Sequence, residues 1–167
     1  MIAVYAGSFD PVTNGHLDII ERVAAIMDKL VVGILANPAK TPMFTMEERL
    51  LHLQTLTKDY PRVEVKQFRG LQVDFAREVN ATAMIRGLRT TMDYENELKM
   101  ALTNKKLEPE LETMFILADP TYAYLSSSVV KDITNLDENA AGRLESMVPP
   151  IILKHLLDKK KDKKRGG

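Results

Sequence analysis

The sequence predicts a single α/β domain built on a five-stranded parallel sheet with helices on both faces. Three observations carry this. Apolar runs rich in strand formers alternate with amphipathic segments from end to end, the pattern of strand and crossover helix. The first run, Ile2 to Ala6, is apolar apart from one tyrosine hydroxyl, which suits a strand buried on both sides. The length of 167 residues is usual for one domain, enough to bury about two-thirds of the unfolded surface.

Strands are expected near residues 2–6, 30–36, 62–68, 82–86 and 113–118. After the first, Leu17, Ile20, Val23, Ala24 and Met27 recur at three- and four-residue steps between charged residues, giving one apolar helical face. Thr45-Met46-Glu47-Glu48 reads as a capping box. Its helix is expected to bury Met46, Leu50, Leu53 and Leu56 and to leave Glu47, Glu48, Arg49 and His52 in water. Further helices are expected over Val73 to Val79, from about Thr91 through Tyr94, Leu98, Ala101 and Leu102, and after Ser127. The last starts at the Pro149-Pro150 break and carries His155, read as structural.

Formal net charge is zero, but residues 158–165 hold six basic and two acidic groups, so the body is net negative. That balance speaks against a nucleic-acid binder, which spreads basic residues over a folded face. The domain is expected to occupy residues 1–157, with 158–167 a disordered basic tail whose like charges and terminal glycines oppose folding. The absence of cysteine excludes disulfides, thiolate metal sites and cysteine nucleophiles. Apolar stretches such as Leu30 to Ala36 fall far short of the roughly 20 residues that span a bilayer, and no basic leader is recognisable. A cytoplasmic protein without a membrane partner is expected.

The link between the first strand and helix, Gly7-Ser8-Phe9-Asp10-Pro11-Val12-Thr13-Asn14-Gly15-His16, is the candidate ligand turn. Strand, glycine-flanked turn and helix in that order aim the unpaired N–H groups of a helix N-terminus at the carboxyl end of the strand, where open α/β sheets bind anions. Gly7 and Gly15 would let a ligand approach the backbone. His16, in the first helical turn, would either touch a phosphate oxygen or act as a polar cap. Neither a G-x-G-x-x-G turn nor a P-loop is present to explain the link.

If one crevice lies at the carboxyl ends of the strands, three further segments should reach it. The second strand runs into Asn37-Pro38-Ala39-Lys40-Thr41-Pro42, which frames Lys40. The fourth ends in Arg86-Gly87-Leu88-Arg89, two guanidinium groups around a glycine, suited to anionic oxygens. The fifth leads to Thr121-Tyr122-Ala123-Tyr124-Leu125-Ser126-Ser127-Ser128, whose hydroxyls suit both a helix cap and a phosphate. So many cations and donors ask for a polyphosphate. Glu97 is placed either to hold a ribose hydroxyl or to pair with Arg89.

These residues carry a family resemblance. Thr13-Asn14-Gly15-His16 looks like the T/H-x-G-H signature of the nucleotidyltransferase superfamily, and Leu125 to Lys131 (LSSSVVK) resembles its second signature, I-S-S-T-x-x-R. With the N-P-x-K-T-P-M-F-T, IRGLR, D-Y-E-N-E-L and Y-L-S-S-S-V-V-K-D segments, residues 2–157 are similar to the bacterial phosphopantetheine adenylyltransferase family, a Rossmann-like fold. The resemblance implies transfer of AMP from ATP to 4′-phosphopantetheine, giving dephospho-coenzyme A and pyrophosphate. Mg²⁺ would assist, carried by ATP and pyrophosphate with no dedicated protein ligand. By the same resemblance Gly7, Ser8, Phe9, His16, Gly87, Leu88, Arg89, Glu97 and the run Tyr122, Ala123, Tyr124, Leu125, Ser126, Ser127 and Ser128 match ATP-contacting positions. Ser8, Lys40, Gln72 and Arg86 match phosphopantetheine positions. Lys131 stands where the superfamily often has arginine, so a phosphate grip there would be single rather than forked. The family also implies a homohexamer and feedback by coenzyme A.

The chemistry agrees with this resemblance. A phosphomonoester has a second pKa near 6 and is a ready nucleophile at neutral pH, so no general base is needed. Charge builds on the α-phosphate and the leaving pyrophosphate, and His16, Lys40, Arg89 and the helix N-termini are the candidates to stabilise it. The nearest rival is a nucleotidyltransferase acting on nicotinate mononucleotide or a polyol phosphate. A regulatory nucleotide-binding module would be expected to have lost His16 or the lysine. Lys40→Ala is predicted to raise the KM for the acceptor in steady-state assays; weakening of nucleotide binding alone would contradict the two-sided division of the crevice.

Overall fold

The structure is a computed structural model that describes residues 1–36 and 41–165, with side chains described through Asp162. Lys40, with Asn37, Pro38 and Ala39, lies outside the described residues. The five expected strands form within two residues of their expected bounds: β1 (Ile2–Gly7), β2 (Lys29–Leu35), β3 (Val63–Phe68), β4 (Ala83–Leu88) and β5 (Glu112–Leu117). They pair in parallel in the order β3-β2-β1-β4-β5. Between and after them run α1 (Asn14–Ile26), α2 (Met46–Leu56), α3 (Gln72–Glu78), α4 (Thr91–Leu107), α5 (Ser127–Leu136), α6 (Ala140–Leu144) and α7 (Pro150–Arg165).

The apolar character of β1 follows from its place between two helical layers. Alternate residues of a strand point to opposite faces. Ala3 and Tyr5 enter a core shared with Ile20 and Val23 of α1, Leu53 of α2, Val130 of α5, and Ile152 and Leu156 of α7. Val4 and Ala6 enter a second core with Val73, Phe75 and Ala76 of α3. With both faces covered, no position of the central strand can be polar without losing hydration.

The chain order has a direct consequence for function. The first three strands step outward from β1 in one direction, and the chain then returns to lay β4 and β5 on the other side. The carboxyl ends of β1 and β4 therefore diverge in their connections and leave a crevice at the point of reversal, where open α/β sheets bind ligands.

Three expectations are corrected. His52 and Arg49 are buried rather than solvated: they lie on the same face of α2 as Leu53 and Leu56, and α7 covers that face. His52 is 2% exposed, and its Nε2 lies 2.7 Å from Nδ1 of His155 on α7, with the two rings stacked. Residues 158–165 continue α7 rather than forming a disordered tail. Lys159 explains part of this, because its ammonium bonds to the α2 capping carboxylate of Glu48 at 2.9 Å and lies 5.4 Å from the centre of the Phe44 ring. On α4, Met92, Tyr94, Met100 and Leu102 are exposed, and Asn104 is its one buried side chain among the described residues. Helix α6 carried no sequence expectation.

The buried His52 makes stability sensitive to acid. Burial is the main cause that lowers the His52 pKa, and His155 and Lys159 lower it further against the opposing pull of Glu48. The unfolded chain takes up a proton near pH 6.5 that the folded chain resists, so stability falls as pH drops through that value. His52 Nδ1 is also buried with no hydrogen-bond partner among the described residues. His52→Leu removes both liabilities. Thermal melts from pH 7.5 to 5.5 are predicted to show a smaller Tm decline in this variant than in the parent; an equal decline would contradict this role for His52.

Candidate active site

The crevice at the strand reversal is a cleft of about 250 Å³ that brings together the ends of β1 and β4 and the starts of α1 and α5. Gly7, Phe9 and His16 line it from the first turn, Arg86, Gly87, Arg89 and Glu97 from β4 and α4, and Tyr122, Leu125, Ser126 and Ser127 from the segment after β5. The three separate sequence segments thus meet at one site, with Tyr5, Thr13 and Gly15 also on the wall.

His16 owes its placement to a helix cap. Thr13 is the N-cap of α1 and His16 occupies the third helical position, where its side chain reciprocates in place of the usual Glu or Gln. The Thr13 backbone N–H donates to His16 Nδ1 at 3.0 Å. A backbone N–H can only donate, so Nδ1 is the unprotonated nitrogen and the ring proton sits on Nε2. Phe9 meets the imidazole edge-to-face, with centroids 5.1 Å apart. Burial, assisted by the Arg89 charge, pulls the His16 pKa down to about 4. His16 is both a cap and a wall of the cleft, and at neutral pH it is an uncharged Nε2–H donor.

The two arginines are each braced, with partners that differ from expectation. Arg86, 8% exposed, pairs through Nε with Glu97 at 3.2 Å and donates through Nη2 to Gln72 Oε1. Burial depresses its pKa while Glu97 and Tyr5 oppose the shift. Glu97 therefore pairs with Arg86 rather than with Arg89, and Gln72 braces Arg86 from outside the lining of the cleft. Arg89 is held by Asp93, one helical turn on, through Nε at 3.1 Å, and donates to the Leu125 carbonyl at 2.7 Å. That bond ties the start of α4 to the start of α5 across the cleft.

Around these, Ser126 is the α5 N-cap, its hydroxyl accepting the Val129 N–H at 3.1 Å. Ser127 lines the cleft and donates to the Pro11 carbonyl at 2.8 Å. Ser8, Leu88, Ala123, Tyr124 and Ser128 lie outside the lining; Ser8, Tyr124 and Ser128 are exposed. The three glycines on the cleft wall are also points of close packing. A Cβ on Gly87 would stand 2.4 Å from Ile19 Cδ1 and force that side chain to shift. A Cβ on Gly15 would meet Tyr122 Cβ at 3.3 Å, and one on Gly7 would press on the Phe9 ring at 3.2 Å.

The first turn is held by residues whose partners lie far off in the chain. Asp10 is buried and accepts the N–H groups of Met43 and Phe44, each at 2.9 Å, and the ammonium of Lys131. Lys131 thus faces a carboxylate in this structure. Arg49 on α2 donates to the Ser8 carbonyl at 2.8 Å. The signal for Arg49 was its spacing, four residues before Leu53 and seven before Leu56. The signal for Asp10 was its apolar flank of Phe9 and Val12, which marks a carboxylate about to be buried.

Comparison with known proteins follows this geometry. Residues 4–133 match the cytidylyltransferase-like family. A phosphopantetheine adenylyltransferase of Caldanaerobacter subterraneus subsp. tengcongensis is 51% identical over 158 residues, covering 95% of this chain and 96% of that protein. One from Natranaerobius thermophilus is 46% identical over 162 residues, covering 97% and 98%. Among solved structures, a Plasmodium falciparum nicotinic acid mononucleotide adenylyltransferase complexed with NaAD has a TM-score of 0.71 at 14% identity and covers 94% of each chain, a likeness of fold alone. With its signature histidine, braced arginines and serine-capped helix gathered at the strand reversal, the chain belongs to the cytidylyltransferase-like family, among relatives named phosphopantetheine adenylyltransferases.

Proposed function

We propose that this enzyme transfers AMP from ATP to 4′-phosphopantetheine, giving dephospho-coenzyme A and pyrophosphate. The observation that carries the reading is near-full-length identity of 51% to a relative of that name, joined to a cleft whose wall is built of fixed donors. No helix of the described residues is long and apolar enough to cross a membrane; a cytoplasmic setting is part of the proposal.

The mechanism follows from which charges move. The acceptor phosphate supplies its own anionic nucleophile, and in-line attack on the α-phosphorus places new charge on equatorial oxygens and on the departing pyrophosphate. Arg89 and the amides at the starts of α1 and α5 are assigned to the triphosphate, and Arg86 with Lys40 to the acceptor. His16 Nε2–H is assigned to the oxygens of the reacting phosphates, where a fixed neutral donor stabilises developing charge without first surrendering a proton. Its Nδ1 is already committed to the cap, which leaves no free lone pair to act as a base.

Mg²⁺ fits as a companion of the phosphates. Among the described residues no group of three His, Asp or Glu side chains is arranged to hold a metal. Glu97, the carboxylate on the described cleft wall, is paired with Arg86. The ion would enter with ATP, as the family resemblance implies, its charge neutralising that of the phosphates. A homohexamer and feedback by coenzyme A are part of the proposal: the exposed apolar side chains of Met92, Met100 and Leu102 on α4 offer a surface for contact between copies, and coenzyme A is chemically like the product.

A coupled pyrophosphate-release assay with ATP is predicted to give turnover with phosphopantetheine and none with nicotinate mononucleotide; the reverse would reject the reading. His16→Ala is predicted to lower kcat by roughly 10²-fold, about 3 kcal/mol, with ATP Kd changed less than about threefold. Equal losses in both would refute a role realised in the transition state. Because His16 stays neutral down to about pH 4, kcat/KM is predicted to fall below about pH 6 through protonation of the acceptor phosphate. This fall is predicted to persist unchanged in that variant.

A further inference from the structure

The turn after β1 holds a buried carboxylate that touches neither substrate side in the assignment above. Asp10 is 5% exposed and does not line the cleft, although its neighbour Phe9 does. Its Oδ2 accepts the Met43 N–H at 2.9 Å, its Oδ1 accepts the Phe44 N–H at 2.9 Å, and the Lys131 ammonium bonds to Oδ2 as well. A carboxylate taken out of water is tolerated only when its oxygens are filled in this way.

The donors come from two elements far apart in the chain. Met43 and Phe44 belong to the segment that enters α2, and Met43 is three positions after Lys40 in the sequence. Lys131 lies on α5, one turn beyond Ser127, which is on the cleft wall. The two flanks of Asp10 are tied to the same two elements. Arg49 of α2 grips the Ser8 carbonyl and Ser127 of α5 grips the Pro11 carbonyl, each at 2.8 Å. One carboxylate thus fastens the segment after β2 and the helix after β5 to a single turn.

We propose that Asp10 is a positioning residue for adenylyl transfer, setting the distance between the acceptor-side segment and the nucleotide-side helix α5. The inference rests on the division of substrates proposed above. Its physical basis is that displacement at phosphorus is steeply sensitive to alignment, so that about 1 Å of drift between two correctly bound substrates costs on the order of 10²-fold in rate. Binding of either substrate alone needs no such register. Asp10→Asn puts an NH₂ where an oxygen was. In either orientation of that amide a donor then faces a donor, either Phe44 N–H alone or Met43 N–H together with Lys131.

The test uses the full chain. Asp10→Asn is predicted to lower kcat by about 10- to 100-fold while ATP Kd, measured by calorimetry without acceptor, stays within about threefold. Lys131→Met, which keeps both amide bonds to Asp10, is predicted to show the same split. The double variant is predicted to be no slower than the slower single one by more than about threefold, because both changes break one connection. A folded Asp10→Asn enzyme with kcat within threefold of the parent overturns the inference, as does an ATP Kd that rises in step with the loss of kcat. If Asp10→Asn does not fold, Lys131→Met decides by the same two criteria. Failure of the substrate assignment shows separately, as a parent enzyme that releases no pyrophosphate with phosphopantetheine.

Discussion

A charge removed from water has to be met by donors, and at Asp10 those donors lie 33, 34 and 121 residues away in the chain. This requirement organises the site. The turn after β1 has no regular secondary structure of its own, and Phe9 within it adopts a positive φ of 47°, a conformation uncommon for an aromatic residue. It is held because Asp10 and the Ser8 and Pro11 carbonyls are bound by donors from α2, from the segment that leads into it and from α5. The strain at Phe9 has a use: its ring is fully buried and meets His16 on one side and Tyr5 on the other. Charge pairing below the turn thus fixes the aromatic support of the histidine above it.

The resulting site is a set of fixed donors rather than a set of titrating groups. His16 is committed through Nδ1 to the Thr13 backbone and kept neutral by burial. Arg86 and Arg89 are oriented by Glu97 and Asp93, so little rotamer freedom remains to be lost when phosphates arrive. Preorganised dipoles and charges of this kind suit a reaction whose nucleophile is already ionised and whose barrier comes from charge redistribution. The sheet supplies the frame, since the reversal of strand order sets the ends of β1 and β4 beside one another and opens the cleft between them.

Much of this was legible in the sequence because periodicity reports burial. Val4 and Tyr5 point to opposite faces, yet both are apolar in character, and that alone marks β1 as a strand covered on two sides. The Thr13 and His16 spacing gave the turn its chemical character, and the loops after β4 and β5 were found by their place in the strand order. What escaped notice depends on contacts between distant segments. His52 reads as polar on any local scale and is buried only because His155, a hundred residues later, supplies its partner. Asp10-Pro11 reads as turn chemistry until Lys131 is placed against it. Residues 158–165 look like a repelling charge run, but Lys159 has Glu48 as a counterion and the last helix continues. The packing at Gly87 depends in the same way on Ile19 of another element.

Direct passage of AMP from ATP to the acceptor phosphate, as proposed, leaves the protein to supply alignment and fixed donors and no covalent link of its own. The stereochemical course at the α-phosphorus tests it most directly. With ATP carrying a chiral α-thiophosphate, a single in-line displacement predicts inversion of configuration at phosphorus in the dephospho-coenzyme A product; retention would reveal an adenylylated enzyme intermediate and contradict the account.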